Sequence, residues 1–342
     1  MKWIKRISIW VAVSLSLQCL GLFYIDHYFL ANDSKVVTKK VEEEKVEKVK
    51  NIDIELPQTV QKVLVSYDAK FLSYYEDELL NIVNCKDGTV KNIEVEEGTI
   101  ISFYKWLPDR NRMLLVEKKS NDESSNLILY SYDVSKGEKV KVKDLTWSDA
   151  KSKVQDIQLS TLTGVTYVKV SNKGGKSGIY RIDRMGSMTR IDTIPTFVSN
   201  ISLVRLEDKL VYEGLVYNSI FVTGDDKALS IEGVEKLTLI GTDDDDNVYV
   251  GELEDKRIGK IYFGKTSQKT KDWKVINLQD SSEKKDLFVS SVGKVYQNNS
   301  LRGVIKEVNS GTQTSYQGKL LQLYTKGLVS LVNNKVTFVS FK

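Results

Sequence analysis

Residues 62–95 read KVLVSYDAKFLSYYEDELLNIVNCKDGTVKNIEV. An apolar run meets a tight polar turn at Asp68, and a second apolar run follows. A third and a fourth flank Asp87-Gly88, a dipeptide that favours the positive φ of a primed hairpin turn. Runs of five to eight residues rich in Val, Ile, Leu, Tyr and Thr, separated by turn residues, are the signature of antiparallel strands. The unit therefore reads as four strands joined by three turns.

The same unit recurs. First turns fall near Asp68, Asp109, Thr163, Asp208, Asp245, Gly293 and Gly327, a spacing of about 43 residues that suits the four-stranded blade of a β-propeller. The fold expected for residues 52–342 is all-β: a β-propeller of seven four-stranded blades, with six as the alternative count. The seventh unit is one strand short, while IDIEL at 52–56 is a spare strand ahead of the first unit. Pairing of that strand with the last blade would close the ring and remove two free edges.

Two stretches carry a resemblance. Trp106, Pro108 and Asp109 fit a "W-x-P-D" first turn, and Tyr130, Tyr132, Asp133 and Gly137 fit a "Y-x-Y-D-x-x-x-G" hairpin. In these the chain resembles TolB-like propellers and the N-terminal propeller of dipeptidyl peptidase IV. The match is good in the first two units and fades later. It implies an architecture, not an activity.

Upstream, MKWIKR is followed by ISIWVAVSLSLQCLGLFYI at 7–25, which carries no charge. At about 1.5 Å per residue this nearly spans a hydrocarbon core of about 30 Å. The organisation expected is a cytoplasmic tail at 1–6, one transmembrane helix at 7–30 marked by Ile7, Trp10, Leu20 and Ile25, a charged stalk at 31–51, and the propeller beyond. The basic flank precedes the apolar run, which puts the N-terminus in the cytoplasm and the propeller outside. A cleaved signal peptide is the rival. Its nearest cleavage site, after Ala31, has bulky Phe29 two residues earlier and is poor. Lipid attachment at Cys19 is disfavoured because Gln18, not a small residue, precedes it.

The composition restricts the chemistry. Of 342 residues 28% are charged, and the formal net charge is only +4; no nucleic-acid partner is expected. The one histidine, His27, lies beside the apolar segment. No G-x-S-x-G elbow occurs, and Cys85 has no histidine to activate it. GGKSG at 174–178 lacks the first glycine of a phosphate-binding loop, since Val170 stands there. No enzyme activity and no cofactor are expected; a hydrolase working through paired carboxylates would be the exception.

The most tempting metal motif is GTDDDDNVYVGELE at 241–254. Asp243, Asp245 and Asn247 have the alternating spacing of a calcium loop, and Glu254 stands at its twelfth position. The sixth position, however, is Val248 where such a loop needs glycine. An acidic turn between two strands accounts for the stretch better, with Asp243, Asp245 and Asn247 as weak metal candidates. The function expected is a non-catalytic, membrane-anchored module binding a protein at the cell surface. A carbohydrate- or small-ligand-binding propeller of the envelope, with a glycan as partner, is the alternative.

Overall fold

In a computed structural model the described residues are 2–24, 54–120, 125–147 and 151–341. The chain divides into two units, 1–49 and 50–342. In the first, a helix runs Lys2–Tyr24. Its section Lys5–Tyr24 has a mean hydropathy of 1.7 and by length and composition could cross a membrane. Ile7, Trp10 and Leu20 stand exposed on it. Ile25, His27 and the expected stalk lie outside the described residues.

The second unit is a seven-bladed β-propeller. Blade 1 holds the strands between Gln61 and Asn92, blade 2 those between Ile100 and Trp147, and blade 3 those between Lys153 and Ile191. Blade 4 runs from Val198 to Val222, blade 5 from Leu237 to Glu283, blade 6 from Leu287 to Ser315 and blade 7 from Lys319 to Ser340. Within every blade neighbouring strands are antiparallel and mostly consecutive in the chain. The first strands of blades 1 to 6 touch in succession, and that of blade 7 touches that of blade 1, so the first strands form the innermost ring.

Closure takes the expected form. Ile54 and Glu55 pair with Val336 and Lys335, adding an outer strand to blade 7. The next residue, Leu56, donates its N–H to the carbonyl of Asn334 at 2.8 Å. Ile54 and Leu56 bury their side chains with Val65, Leu72, Val83 and Cys85 of blade 1 and Val329 and Val336 of blade 7. One short segment thus ties both ends of the propeller into a single apolar layer.

The core is divided, not central. Each joint between adjacent blades has its own apolar cluster, for example Leu80, Ile82, Ile101 and Met113 between blades 1 and 2. Leu114, Leu129, Val168 and Val170 do the same between blades 2 and 3. A blade with two buried faces reads as a near-continuous apolar run, and a fully buried aliphatic or aromatic side chain contributes about 1.5–3 kcal/mol.

Two local expectations change. Blade 4 has three strands, not four. Its last segment, ALSIEGV, keeps one bridge, Leu229 to Ile220. Gly224 and Gly233 bend this segment through positive φ, and Leu229, Ile231 and Val234 pack into the layer facing blade 5 instead of extending a ladder. The Asp87-Gly88 hairpin exists, but only Gly88 takes positive φ. Consecutive positive-φ pairs of non-glycine residues occur at Asp77-Glu78, Asp255-Lys256 and Asn333-Asn334; Asn and Asp suit such a primed turn, whereas at Glu78 and Lys256 the two-residue spacing of the paired strands imposes it.

Leu56→Ala should destabilise the propeller by about 2–5 kcal/mol in denaturant unfolding, as a large-to-small change in a packed layer does. Leu301→Ala, at a fully exposed turn, should stay within about 0.5 kcal/mol. Equal stability of the two variants would mean that the closing segment is not holding the ring.

Candidate functional site

The acidic stretch is a turn joining the strands Leu237–Thr242 and Asn247–Glu254 of blade 5. The Asp243 carboxylate is buried and accepts from the backbone N–H groups of Asp245 and Asn247 at 3.0 and 2.8 Å. It also accepts from Asn247 Nδ2 at 2.8 Å and from the Tyr249 hydroxyl at 2.9 Å. Asp246 turns the other way and accepts from the N–H groups of Arg205 and Leu206 in blade 4. Asp244 pairs with the Arg205 guanidinium. Asp243 and Asn247 thus meet each other, and Asp243 spends its oxygens on four protein donors. Among the described residues no cluster of three or more His, Cys, Asp or Glu has the arrangement of a metal site.

The stretch therefore acts as a clasp between blades 4 and 5. Similar contacts join other blades at the corresponding turns. Asn111 donates to Asp68 at 3.1 Å, Thr161 to Asp109 at 3.0 Å and Tyr167 to Asp208 at 2.8 Å. Gly293 fits this scheme: a Cβ there would stand 2.8 Å from the Tyr249 hydroxyl and 2.9 Å from Asp243.

The residues of the family resemblance are also structural. The Trp106 indole donates to Ser73 Oγ at 2.8 Å across the blade 1–2 joint. Asp133 holds Arg112 at 2.8 Å and caps the turn through the N–H of Lys136. Gly137 supplies the positive φ that ends this turn. Buried Cys85 has its thiol pushed up to about 12 by desolvation, with nearby Asp68 adding to the effect, so it stays a neutral, unreactive thiol.

Three features remain open to a ligand or a partner. The first is a cleft of about 250 Å³ between blades 1 and 2, lined by Phe71, Ile82, Tyr132 and the hairpin at Asn84–Thr89. Its Asn84 and Asp87 side chains are engaged with each other and with the turn backbone. The second is an apolar turn in blade 4. Leu215, Val216 and Tyr217 are 58%, 63% and 80% exposed, and Ile194 nearby is 54% exposed. The Leu215 N–H donates to the carbonyl of Phe197 at 2.9 Å, which holds this turn against the segment that carries Ile194.

The third feature is the inner wall. Lys62 sits at a bulge in the first strand of blade 1, with φ +49. Its ammonium donates to the Tyr104 carbonyl at 3.0 Å and lies over the rings of Phe103 and Tyr104. The Tyr104 hydroxyl donates back to the Lys62 carbonyl. Lys62 is exposed overall, and its ammonium rests against the two rings. Desolvation lowers its pKa to about 8, Asp156 opposing the shift and Lys105 adding to it.

Lys105 pairs with Asp156 at 2.8 Å and donates to the carbonyl of Ile157. Gln158 reaches Asp156 and the carbonyl of Ile201. Lys169, only 6% exposed, rests on the carbonyls of Val198 and Ser199. Glu213 is buried and bound by Asn200 at 2.8 Å, Thr238 at 2.7 Å and Lys284 at 2.5 Å. None of this was visible in the linear sequence. The residues are roughly one blade apart, and only the ring topology brings them together.

The architecture defines a class, a seven-bladed propeller with no catalytic set among its described residues. No family model matches the chain, and no curated protein matches it. Among solved structures it is similar to the β-propeller domain of Cps50 (Swd1) from Myceliophteria thermophila, with a TM-score of 0.52 and 10% identity over 85% of this chain and 98% of that one. It is also similar to TolB from Acinetobacter baumannii, with a TM-score of 0.37 and 17% identity over 66% of this chain and 55% of that one. At these identities the first likeness bears on the fold alone.

Two outcomes follow from the geometry. Asp243→Ala leaves four donors without their acceptor and should cost about 2–3 kcal/mol. Millimolar calcium should not raise the melting temperature of the wild type; a calcium-dependent rise would make the turn a metal site. Glu213 offers a pH test. Burial alone would push its carboxyl up, but Lys284, Asn200 and Thr238 outweigh burial and leave its pKa below that of an ordinary glutamate. Its stabilising contribution is therefore present above the unfolded-state pKa of about 4.3 and is lost as pH falls through the lower folded value. Stability of Glu213→Gln should fall less steeply than that of the wild type below about pH 4.3. Parallel pH profiles would refute the role given to this network.

Proposed function

We propose that the chain is a single-pass membrane protein whose extracytoplasmic propeller binds a protein partner and does no chemistry itself. The exposed Leu215-Val216-Tyr217 turn, with Ile194 beside it, is the observation that carries this reading. Clustered apolar side chains on a soluble fold mark contact surfaces, and tyrosine is favoured among residues that dominate binding energy. The Lys2–Tyr24 helix supports the anchor, because its apolar side chains are exposed along its length. The basic residues before the apolar run support a cytoplasmic N-terminus. The motifs at Trp106–Asp109 and Tyr130–Gly137 support a TolB-like lineage for the propeller. A glycan-binding propeller would have the blade 1–2 cleft available, but the amide and carboxylate at its rim already serve the hairpin.

The test is crosslinking in cells with tagged full-length protein, followed by pull-down and mass spectrometry. A specific protein should be recovered with the wild type and lost with Val216→Asp and Tyr217→Asp, both at an exposed turn where folding is spared. Recovery of the same partner from both variants would remove this turn from the interface. Recovery of cell-wall material alone would overturn the protein-binding reading.

A further inference from the structure

The Lys2–Tyr24 helix carries an amide where lipid offers it nothing. Gln18 lies two residues beyond Ser16, the middle of the charge-free run 7–25. That is about 3 Å of helix rise from the centre, against about 15 Å to either edge of a hydrocarbon core. A glutamine side chain is too short to carry its amide to water from that depth. The amide has two donors and one acceptor oxygen. Among the described residues it forms no hydrogen bond, and neither does the Ser14 hydroxyl one turn earlier. In hydrocarbon such groups are costly to leave unmatched and turn toward another helix.

The residues around Gln18 fall in register with it. Ile7, Val11, Ser14, Gln18 and Gly21 are separated by alternating steps of four and three residues. On a helix this spacing lays them along one stripe, the seam of a left-handed helix pair. Ile7 and Val11 stand exposed on it. A Cβ at Gly21 would meet nothing within 4 Å, and its absence lets a second backbone come close. Ser8 and Ser16 lie off this stripe, but a serine hydroxyl can turn back to the carbonyl four residues earlier in its own helix. The larger amide needs an outside partner, so Gln18 selects the face. Ile9, Val13 and Leu20 lie on the opposite side.

The partner that fits this stripe is an identical helix. The basic flank inserts every copy in the same sense, so each Gln18 stands at the same depth. An amide is both donor and acceptor, and two of them facing each other across a parallel two-fold pair satisfy one another. An unrelated helix would need a polar group at that same depth; a second copy has one by symmetry.

We propose that this chain dimerises within the membrane along the stripe Ile7, Val11, Ser14, Gln18 and Gly21, the partner being a second copy of itself. The proposal rests on the membrane-anchor reading given above. It is independent of the blade 4 turn.

The experiment uses full-length protein carrying a donor or an acceptor dye at its N-terminus, reconstituted into phosphatidylcholine vesicles. Flotation of the vesicles reports insertion. Energy transfer, followed as the lipid-to-protein ratio is raised, reports the dimer. The wild type should float and show transfer that falls on dilution in lipid along a monomer–dimer curve. Gln18→Leu should float equally well and weaken the dimer about three- to thirtyfold. Gln18→Asn, which keeps an amide, should retain most of the affinity, and Leu20→Ala, on the opposite side, should retain all of it. A chain that stays off the vesicles overturns the anchor reading and this proposal with it. A chain that floats but remains monomeric, or that dimerises as well with Gln18→Leu as without it, overturns this proposal alone.

Discussion

The unpaired strand edge is the constraint from which most of this structure follows. A blade of four antiparallel strands satisfies its own interior but leaves a row of backbone groups on each side. The chain deals with the two sides differently. Around the axis, side chains from one blade reach the inner-strand backbone of the next, as Gln322 does for Val65 and Lys105 for Ile157. At the chain's own ends, a two-strand pairing between Ile54–Glu55 and Val336–Lys335 joins the first segment to the last blade. Both devices act between residues far apart in sequence. They make the propeller a ring whose members depend on their neighbours, not a row of independent blades.

The acidic turn shows the same dependence at the outer end of a joint. Four consecutive aspartates would repel one another if left together in solution. Here three of them point in different directions. Asp243 folds back on its own turn, Asp244 faces Arg205, and Asp246 receives two backbone N–H groups from blade 4. The charge that resembles a cation loop is dispersed over donors that belong to the fold. A buried carboxylate with several N–H and O–H donors is a satisfied group, and the buried Tyr249 hydroxyl is satisfied with it.

Much of the fold was legible because the repeat is written in local chemistry. Apolar runs, Asp and Gly turns and a surplus strand at 52–56 are each visible within about ten residues, and together they specify seven blades and a closure. What escaped was tertiary. Blade 4 loses its outer ladder because Leu229 and Ile231 are more useful in the adjoining apolar layer, a choice that strand propensity does not express. Asp77-Glu78 became a positive-φ pair because its strands pair from Glu76 to Leu79, not because its residues favour that turn. The lysines of the inner wall looked like ordinary members of half-exposed strands. Their meaning depends on register and on which blade stands next.

That last point sorts the polar groups of the inner wall by what each one holds. Glu213 and Lys284, like Lys105 and Asp156, form pairs that neutralise themselves, and removal of either partner would leave the other unbalanced. Gln158, Gln322 and Thr242 cap backbone groups without charge. Lys62 and Lys169 fit neither group. Both donate to backbone carbonyls; Asp156 stands across the ladder from Lys169, and the Lys62 ammonium rests on two aromatic rings. The hydrogen bonds that hold these lysines in place belong to the propeller itself, like those of the neutral caps.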